Sequence, residues 1–230
     1  MTTWSSSTPS IQSEIQRILD DGTFETSGDM YDLLLPWTNR IVYEICNEVN
    51  IRDHLVSSGT VSVTTSDYEY DMPTTAGSVF MKKSERFTKV RVDDEYIEIV
   101  GIEELNAADP DHDETSTTIP TYVAIEGTRL FIYPMYTGTI TIEEYYREPV
   151  DMSASTDVPD IPKDHLRTDL IVAGVVGKYG FPAINEHQKA LAYYNRNTNP
   201  KSGMFFELLE LYRKHHQSQD TVWKNRAKYY

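Results

Sequence analysis

The sequence predicts an α+β fold: a helical bundle built from the N- and C-terminal parts, an inserted antiparallel β-sandwich or barrel, and an extended C-terminal tail. Three observations predict it. Apolar residues keep helical spacing in the first part, alternate from Thr60 onward, and return to helical spacing after Pro162. Formal charge divides at the same places: residues 1–59 carry −6, 60–160 carry −14 and 161–230 carry +5, against −15 for all 230 residues. Neither helical part alone holds enough apolar stripe for a bundle core, so one bundle interrupted by an insertion is the economical arrangement. The expected divisions are 1–59 with 161–216, then 60–160, then 217–230.

In the first part Ile11, Ile15, Ile18 and Leu19 share a helical face, and Gly22 is expected to stop the run. A second helix carries Leu34, Trp37, Ile41, Ile45 and Val49 on one stripe. Pro36 suits its first turn, where a missing N–H costs nothing. The helix is expected to fade by Ser57, Ser58 and Gly59. The Ser/Thr-rich start, Met1 to Ser10, has no basic end and no apolar stretch, so it does not read as a signal peptide.

In the middle part Val61 and Val63, Val90 and Val92, and Ile97 and Ile99 alternate with polar residues. Further strands are expected around Tyr122–Ile125 and Leu130–Tyr133, with Glu126 and Gly127 as the turn between them, and from Ile140 through Ile142 towards Tyr146. Residues 104–119 read as a long acidic loop. In the third part Val158, Pro159, Asp160, Ile161 and Pro162 form an extended connector, because a residue before proline avoids the helical region. The helix carrying Leu166, Leu170, Ile171, Ala173, Val175 and Val176 is apolar nearly all round and so the most buried. Gly174 and Gly177 admit a close neighbour, and Gly180 with Pro182 ends the helix. Helices with Ala190, Leu191 and Tyr194, and with Phe205, Leu208, Leu209 and Tyr212, follow. Asn199, Pro200, Ser202 and Gly203 break the chain between them. From His215 the pattern becomes polar.

The chemistry that composition allows is narrow. A single cysteine, Cys46, excludes an internal disulfide and a thiolate cluster, and its place in an apolar stripe reads as packing. No catalytic, cofactor-binding or metal-binding residue is assigned. Asp109, Asp111 and Asp113 start like a calcium loop, but Glu114 stands where glycine is needed and Pro120 where glutamate is needed. His112 has no histidine near it in sequence, and the adjacent His215 and His216 cannot share a helix face. Glu103 with Glu104 and Glu143 with Glu144 are paired carboxylates of the kind 36 acids produce by chance, although a hydrolase would use such a pair. No phosphate loop, dinucleotide fingerprint or nucleophile elbow is present. Sixteen tyrosines suit strand packing, or a receptor- or carbohydrate-binding platform. No apolar run approaches membrane-spanning length, and so acidic a chain does not wrap nucleic acid with its whole surface.

Pro120, Tyr122, Gly127, Leu130, Tyr133 and Pro134, then Ile142, Tyr145 or Tyr146 and Pro149, then Pro159, Ile161, Pro162 and Leu166 follow an order that resembles the head-to-tail connector, or neck adaptor, proteins of tailed bacteriophages. The likeness covers residues 68–212. It implies a non-enzymatic virion protein, made in the host cytoplasm, that forms a homo-oligomeric ring, usually a dodecamer, below the portal protein. It further implies contact with tail or nozzle proteins, DNA passing through the lumen without sequence-specific binding, and no cofactor or membrane. The inserted part, 60–160, is larger than the smallest connectors need, which leaves room for a dock for tail or fibre proteins. The alternative is the receptor- or carbohydrate-binding module using the tyrosine-rich β-domain. Partner binding is expected in the tail, at Val222, Trp223, Lys224, Arg226, Tyr229 and Tyr230, where aromatics and bases are concentrated and acids nearly absent.

Overall fold

The computed structural model describes residues 3–5, 10–20, 24, 28–73, 81, 88–116 and 118–226, with 217–226 described by their backbone. The chain divides into two compact units, 1–53 with 149–230, and 54–148.

The first unit is helical. α1 (Ile11–Leu19) starts at Ser10, whose hydroxyl accepts from the Ser13 N–H at 3.0 Å while the Ser13 hydroxyl accepts from the Ser10 N–H at 2.9 Å. It ends at Asp20, in the left-handed region at φ 44°. The expected stop, Gly22, lies outside the described residues. α2 (Asp29–Glu48) starts seven residues before Pro36, so the proline sits inside the helix and not in its first turn. Proline there forfeits one ladder bond. The burial of Leu34, Trp37, Thr38 and Ile41 on either side offsets that loss. α4 (Arg167–Val175) is the hub, packing on α1, α2 and the last helix, α7 (Met204–Arg226). It does not end at Gly180. A π turn, Val176–Gly180, leads directly into α5 (Phe181–Ala183), and the Phe181 N–H bonds to the Val176 carbonyl five residues back. The widened turn places the register change just before Pro182, whose missing N–H would break a regular ladder anyway. α6 (His187–Tyr193) and α7 (Met204–Arg226) complete the unit.

Gly174 explains how α4 serves three neighbours. A Cβ at this position would lie 2.7 Å from Ile41 Cγ2 and 2.9 Å from Phe205 Cδ2. The absent side chain lets α2 and α7 close on α4 together. At Gly177 a Cβ would meet Tyr193 and Tyr194 Cβ atoms at 2.6 and 2.7 Å. α7 runs through Arg226, where an extended tail was expected from 217. The packed turns of Phe205, Leu209 and Tyr212 supply the nucleus, and each residue added beyond a nucleus gains one backbone hydrogen bond, so the helix runs on although 215–226 holds few strong helix formers. Ala227–Tyr230 lie outside the described residues.

The second unit is a seven-stranded sheet in the order β1-β9-β3-β4-β6-β7-β2. Its strands are β1 (Leu55–Val63), β2 (Glu69–Asp71), β3 (Lys89–Val92), β4 (Glu95–Val100), β6 (Tyr122–Glu126), β7 (Arg129–Tyr133) and β9 (Gly138–Tyr146). β5 (Thr115–Ser116) and β8 (Met135–Tyr136) form a separate two-stranded pair. All six expected strands are present, and β2, β5 and β8 are additional. β1 begins at Leu55, because residues 55–59 pair with β9 instead of fading out of the preceding helix. The sheet is mixed, not antiparallel: β4 and β6 run parallel, with Ile99 opposite Val123. Residues 104–119 correct the expectation of a loop, since α3 (Ile102–Ala108) and β5 form there and carry the chain across. A parallel pair requires such a crossover.

The sheet curls until its end strands approach each other. The Tyr70 hydroxyl of β2 accepts from the Thr64 N–H at 2.9 Å just beyond β1. The result is a partly closed barrel, not a sandwich. Val61, Val63, Val90, Val92, Val123, Leu130, Ile132, Ile140, Ile142 and Tyr145 fill it from alternate positions. At Gly59 a Cβ would stand 2.6 Å from the Tyr145 hydroxyl and 2.8 Å from Pro73 Cβ, so the strand passes close there.

Candidate functional site

Within the helical unit, α2 carries two carboxylates one turn apart towards its C-terminal end. Leu34, Trp37 and Ile41 lead by steps of three and four to Glu44, so the stripe puts a charge at a core position. The Glu44 side chain is only 7% exposed. It accepts from Lys178 Nζ at 2.7 Å and from Arg196 at 2.6 Å, and the Tyr194 hydroxyl donates to it. Lys178 belongs to the π turn, and Tyr194 and Arg196 follow α6. The network therefore ties three segments together. Lys178 Nζ also lies 5.2 Å from the Tyr179 ring centre and 5.6 Å from that of Tyr194. The Tyr194 ring packs on Phe205 and Phe206. Burial, then the hydrogen bond to Glu44 and its charge, push the Tyr194 phenol far above its ordinary pKa.

Glu48 lies one turn further on. It pairs with Lys201 Nζ at 3.1 Å and Arg213 at 3.4 Å, and Arg213 also donates to the Glu48 backbone carbonyl at 3.2 Å. These groups line a groove along α7, whose other walls are Pro200, Phe206, Leu211 and Lys214. Leu211 is 52% exposed at its rim. The groove mixes apolar walls, Phe206 and Leu211, with the charges of Glu48, Lys201, Arg213 and Lys214.

The paired carboxylates of the sheet unit are committed elsewhere. Glu143 accepts from Arg91 Nε at 3.1 Å, and Glu144 pairs with Lys89 Nζ at 3.0 Å. Glu103 and Glu104 stand exposed in the first turn of α3. Asp109, the first residue of the incomplete calcium-loop pattern, is buried and accepts from the Glu114 N–H at 3.1 Å, so it closes its own loop. His112 stacks on Tyr68 at 4.0 Å. Tyr145 lies wholly in the core, Tyr122 stacks on Tyr133 at 6.4 Å and Tyr70 bonds a turn, so these tyrosines pack. Cys46 is buried, as its stripe implied.

Of the expected partner-binding residues, Val222, Trp223, Lys224 and Arg226 lie on the backbone of α7, and Tyr229 and Tyr230 lie outside the described residues. The Glu44 network went unnoticed in the sequence, though a glutamate on an apolar stripe was its signal. His215 is not isolated: its Nδ1 lies 3.0 Å from an Asp164 oxygen. No spacing rule links residues so far apart in sequence. No helix among the described residues is long and apolar enough to cross a membrane.

A family described as SU10 adaptor protein matches residues 8–220, which take in the sheet unit whole and nearly all of the helical unit. No curated protein matches the chain.

Proposed function

The chain belongs to the SU10 adaptor protein family, and from that membership we propose that it forms a ring in the neck of a tailed phage, joining the portal of the head to the tail and letting DNA pass through the lumen. Membership makes it a structural adaptor of the phage particle, one that meets other head or tail proteins. The match carries the proposal because it spans both units instead of a single motif.

Three features support the finer reading. The groove beside α7, with exposed Leu211 and the Glu48 cluster, offers a mixed surface to a neighbouring subunit. α7 has 23 residues, a length of about 35 Å, enough to carry a docking segment to another protein. A formal charge of −15 repels DNA at short range, which favours passage over sticking. The docking segment is 217–230, with Val222, Trp223, Lys224, Arg226, Tyr229 and Tyr230 meeting the portal. The ring is a dodecamer, and tail or nozzle proteins attach on its far side.

The test mixes purified chain with portal-bearing, DNA-filled heads and images the particles by electron microscopy. The expected result is a ring at the portal vertex with the full chain, and weak attachment by a chain ending at Gln217. Heads that stay bare with the full chain overturn the neck assignment. Equal attachment by the two chains removes the docking role of the tail.

A further inference from the structure

The connector into α4 and the middle of α7 bring a carboxylate and two imidazoles together. The Asp164 side chain is 4% exposed. Its Oδ1 lies 2.6 Å from His165 Nδ1 and its Oδ2 lies 3.0 Å from His215 Nδ1. One donor atom from each of the three residues falls within 4.8 Å of the others. We propose that Asp164, His165 and His215 bind one zinc ion.

The donor set selects the metal class. Two imidazoles and one carboxylate suit a borderline divalent cation. Magnesium and calcium require about six or more oxygen ligands, and Asp164 is the single carboxylate of this cluster. Three protein ligands leave the fourth tetrahedral position to water or to a group from another molecule. Zinc bonds of about 2.0–2.2 Å put tetrahedral ligand atoms about 3.3 Å apart. The two carboxylate–imidazole distances, 2.6 Å to Oδ1 and 3.0 Å to Oδ2, are both shorter than this, so each imidazole must move outward to admit the ion. The exposed imidazole rings, 76% for His165 and 46% for His215, have room to do so.

The carboxylate is the fixed member of the set. Asp164 Oδ1 accepts from the Leu166 N–H at 3.0 Å, and its backbone carbonyl accepts from the Arg167 N–H at 3.2 Å. Both bonds hold the turn that leads into α4. Without metal, each imidazole can donate its Nδ1 proton to Asp164. Zinc replaces these donors, so each Nδ1 must present its lone pair and keep its proton on Nε2. His216 is not a member, because its ring lies on Tyr212 at 4.3 Å. A bound ion would clip α7 to the connector beyond the contact of the Tyr212 hydroxyl with the Pro162 carbonyl at 3.3 Å.

The experiment uses the full chain, untagged and stripped with a chelator. Zinc is titrated by calorimetry, and melting is followed with and without it. The expected result is one zinc per chain and a higher melting temperature with the ion. His165→Ala and His215→Ala each weaken binding roughly tenfold or more, the size seen even for lesser changes around metals. Both replace exposed side chains, so melting of the metal-free variants should stay close to that of the parent. His187→Ala, an exposed histidine on α6, leaves zinc binding intact. Absence of binding, or equal affinity in the His165→Ala/His215→Ala double variant, overturns the proposal and leaves an ion-paired turn without a metal.

Discussion

In the sheet unit the ion pairs lie on the outside and join strands: Lys89 with Glu144 at 3.0 Å, Arg129 with Asp71 at 2.9 Å, Arg91 with Glu143 at 3.1 Å, while the buried Asp109 closes a loop through a backbone N–H. In the helical unit a carboxylate, Glu44, is drawn inside and held by Lys178, Arg196 and Tyr194. The contrast follows from what each kind of element can specify by itself. Backbone hydrogen bonds fix strand register, so Val61 faces Ile140 and Val90 faces Ile142 whatever the surface charges do. Helices share no such ladder. How far α4 slides or turns against α2 and α7 is decided by side chains alone, through the space vacated at Gly174 and the charges gathered at Glu44.

The sharpest way to break the helical side of that contrast is to fill the space. Gly174→Leu forces a branched chain into contact distances already at 2.7 and 2.9 Å. Overpacking costs about 1–3 kcal/mol and sometimes more. Two converging helices leave little room to relax, so the upper end, about 3 kcal/mol, is expected. Denaturant melts and soluble yield measure it. A soluble Gly174→Leu protein that melts like the parent would show that α2 and α7 do not close on this face.

Next in size is the inside charge against the outside one. Glu44→Ala leaves Lys178 and Arg196 facing each other near a packed tyrosine. Removing one partner of a buried pair costs about 3–5 kcal/mol, and because both cations are partly exposed the lower end is expected. Glu144→Ala removes half of an exposed, solvent-screened pair and is expected to cost far less than Glu44→Ala. Denaturant midpoints of the two variants side by side check the ranking. Equal losses would mean that burial of Glu44 confers no special role in fixing the helices.

The same contrast explains what was legible in the sequence. Alternation at Val61 and Val63 or Val90 and Val92 is a local signal, and these strands form where it indicates. Pairing direction is not local. The parallel β4–β6 pair depends on α3, whose seven residues, IEELNAA, are acidic and short enough to read as loop. The all-round apolar character of 170–176 identified the buried helix, and the glycines within it marked the close approach. The π turn, Pro36 inside α2, and the meeting of Asp164 with His165 and His215 are settled by tertiary packing, which overrides local preference. The docking role proposed for the tail residues follows from composition and rests on the proposed neck assignment.

The smallest expected effect concerns alkali, and its sign follows from Tyr194. Burial is the first cause of its raised pKa, and the hydrogen bond to Glu44 is the second. Ionising the phenol would set a second negative charge against the Glu44 carboxylate. The folded pKa is therefore above the unfolded value near 10. Below that value both states keep the proton, and the contribution to stability is complete. Above it the unfolded chain releases a proton that the folded chain retains, so stability falls as pH rises. One such group gives a slope of at most about 1.4 kcal/mol per pH unit. Solvent reaches part of this ring, so about 1 kcal/mol per unit is expected. Tyr212 is raised too, chiefly by burial, and adds in the same direction. In the sheet unit Tyr133 is also raised, mainly by its hydrogen bond to Glu114 at 2.9 Å, but it is exposed, and Tyr133→Phe should leave the alkaline decline nearly as it was. Denaturant melts at pH 9, 10 and 11, values about the ordinary tyrosine pKa, then compare the parent with Tyr194→Phe. The phenylalanine variant starts less stable at pH 9, having lost a hydrogen bond to Glu44, and declines less steeply through pH 11. Parallel declines in parent and variant would show that the Tyr194 phenol titrates alike in the folded and unfolded chain, and that Glu44 holds its cations without it.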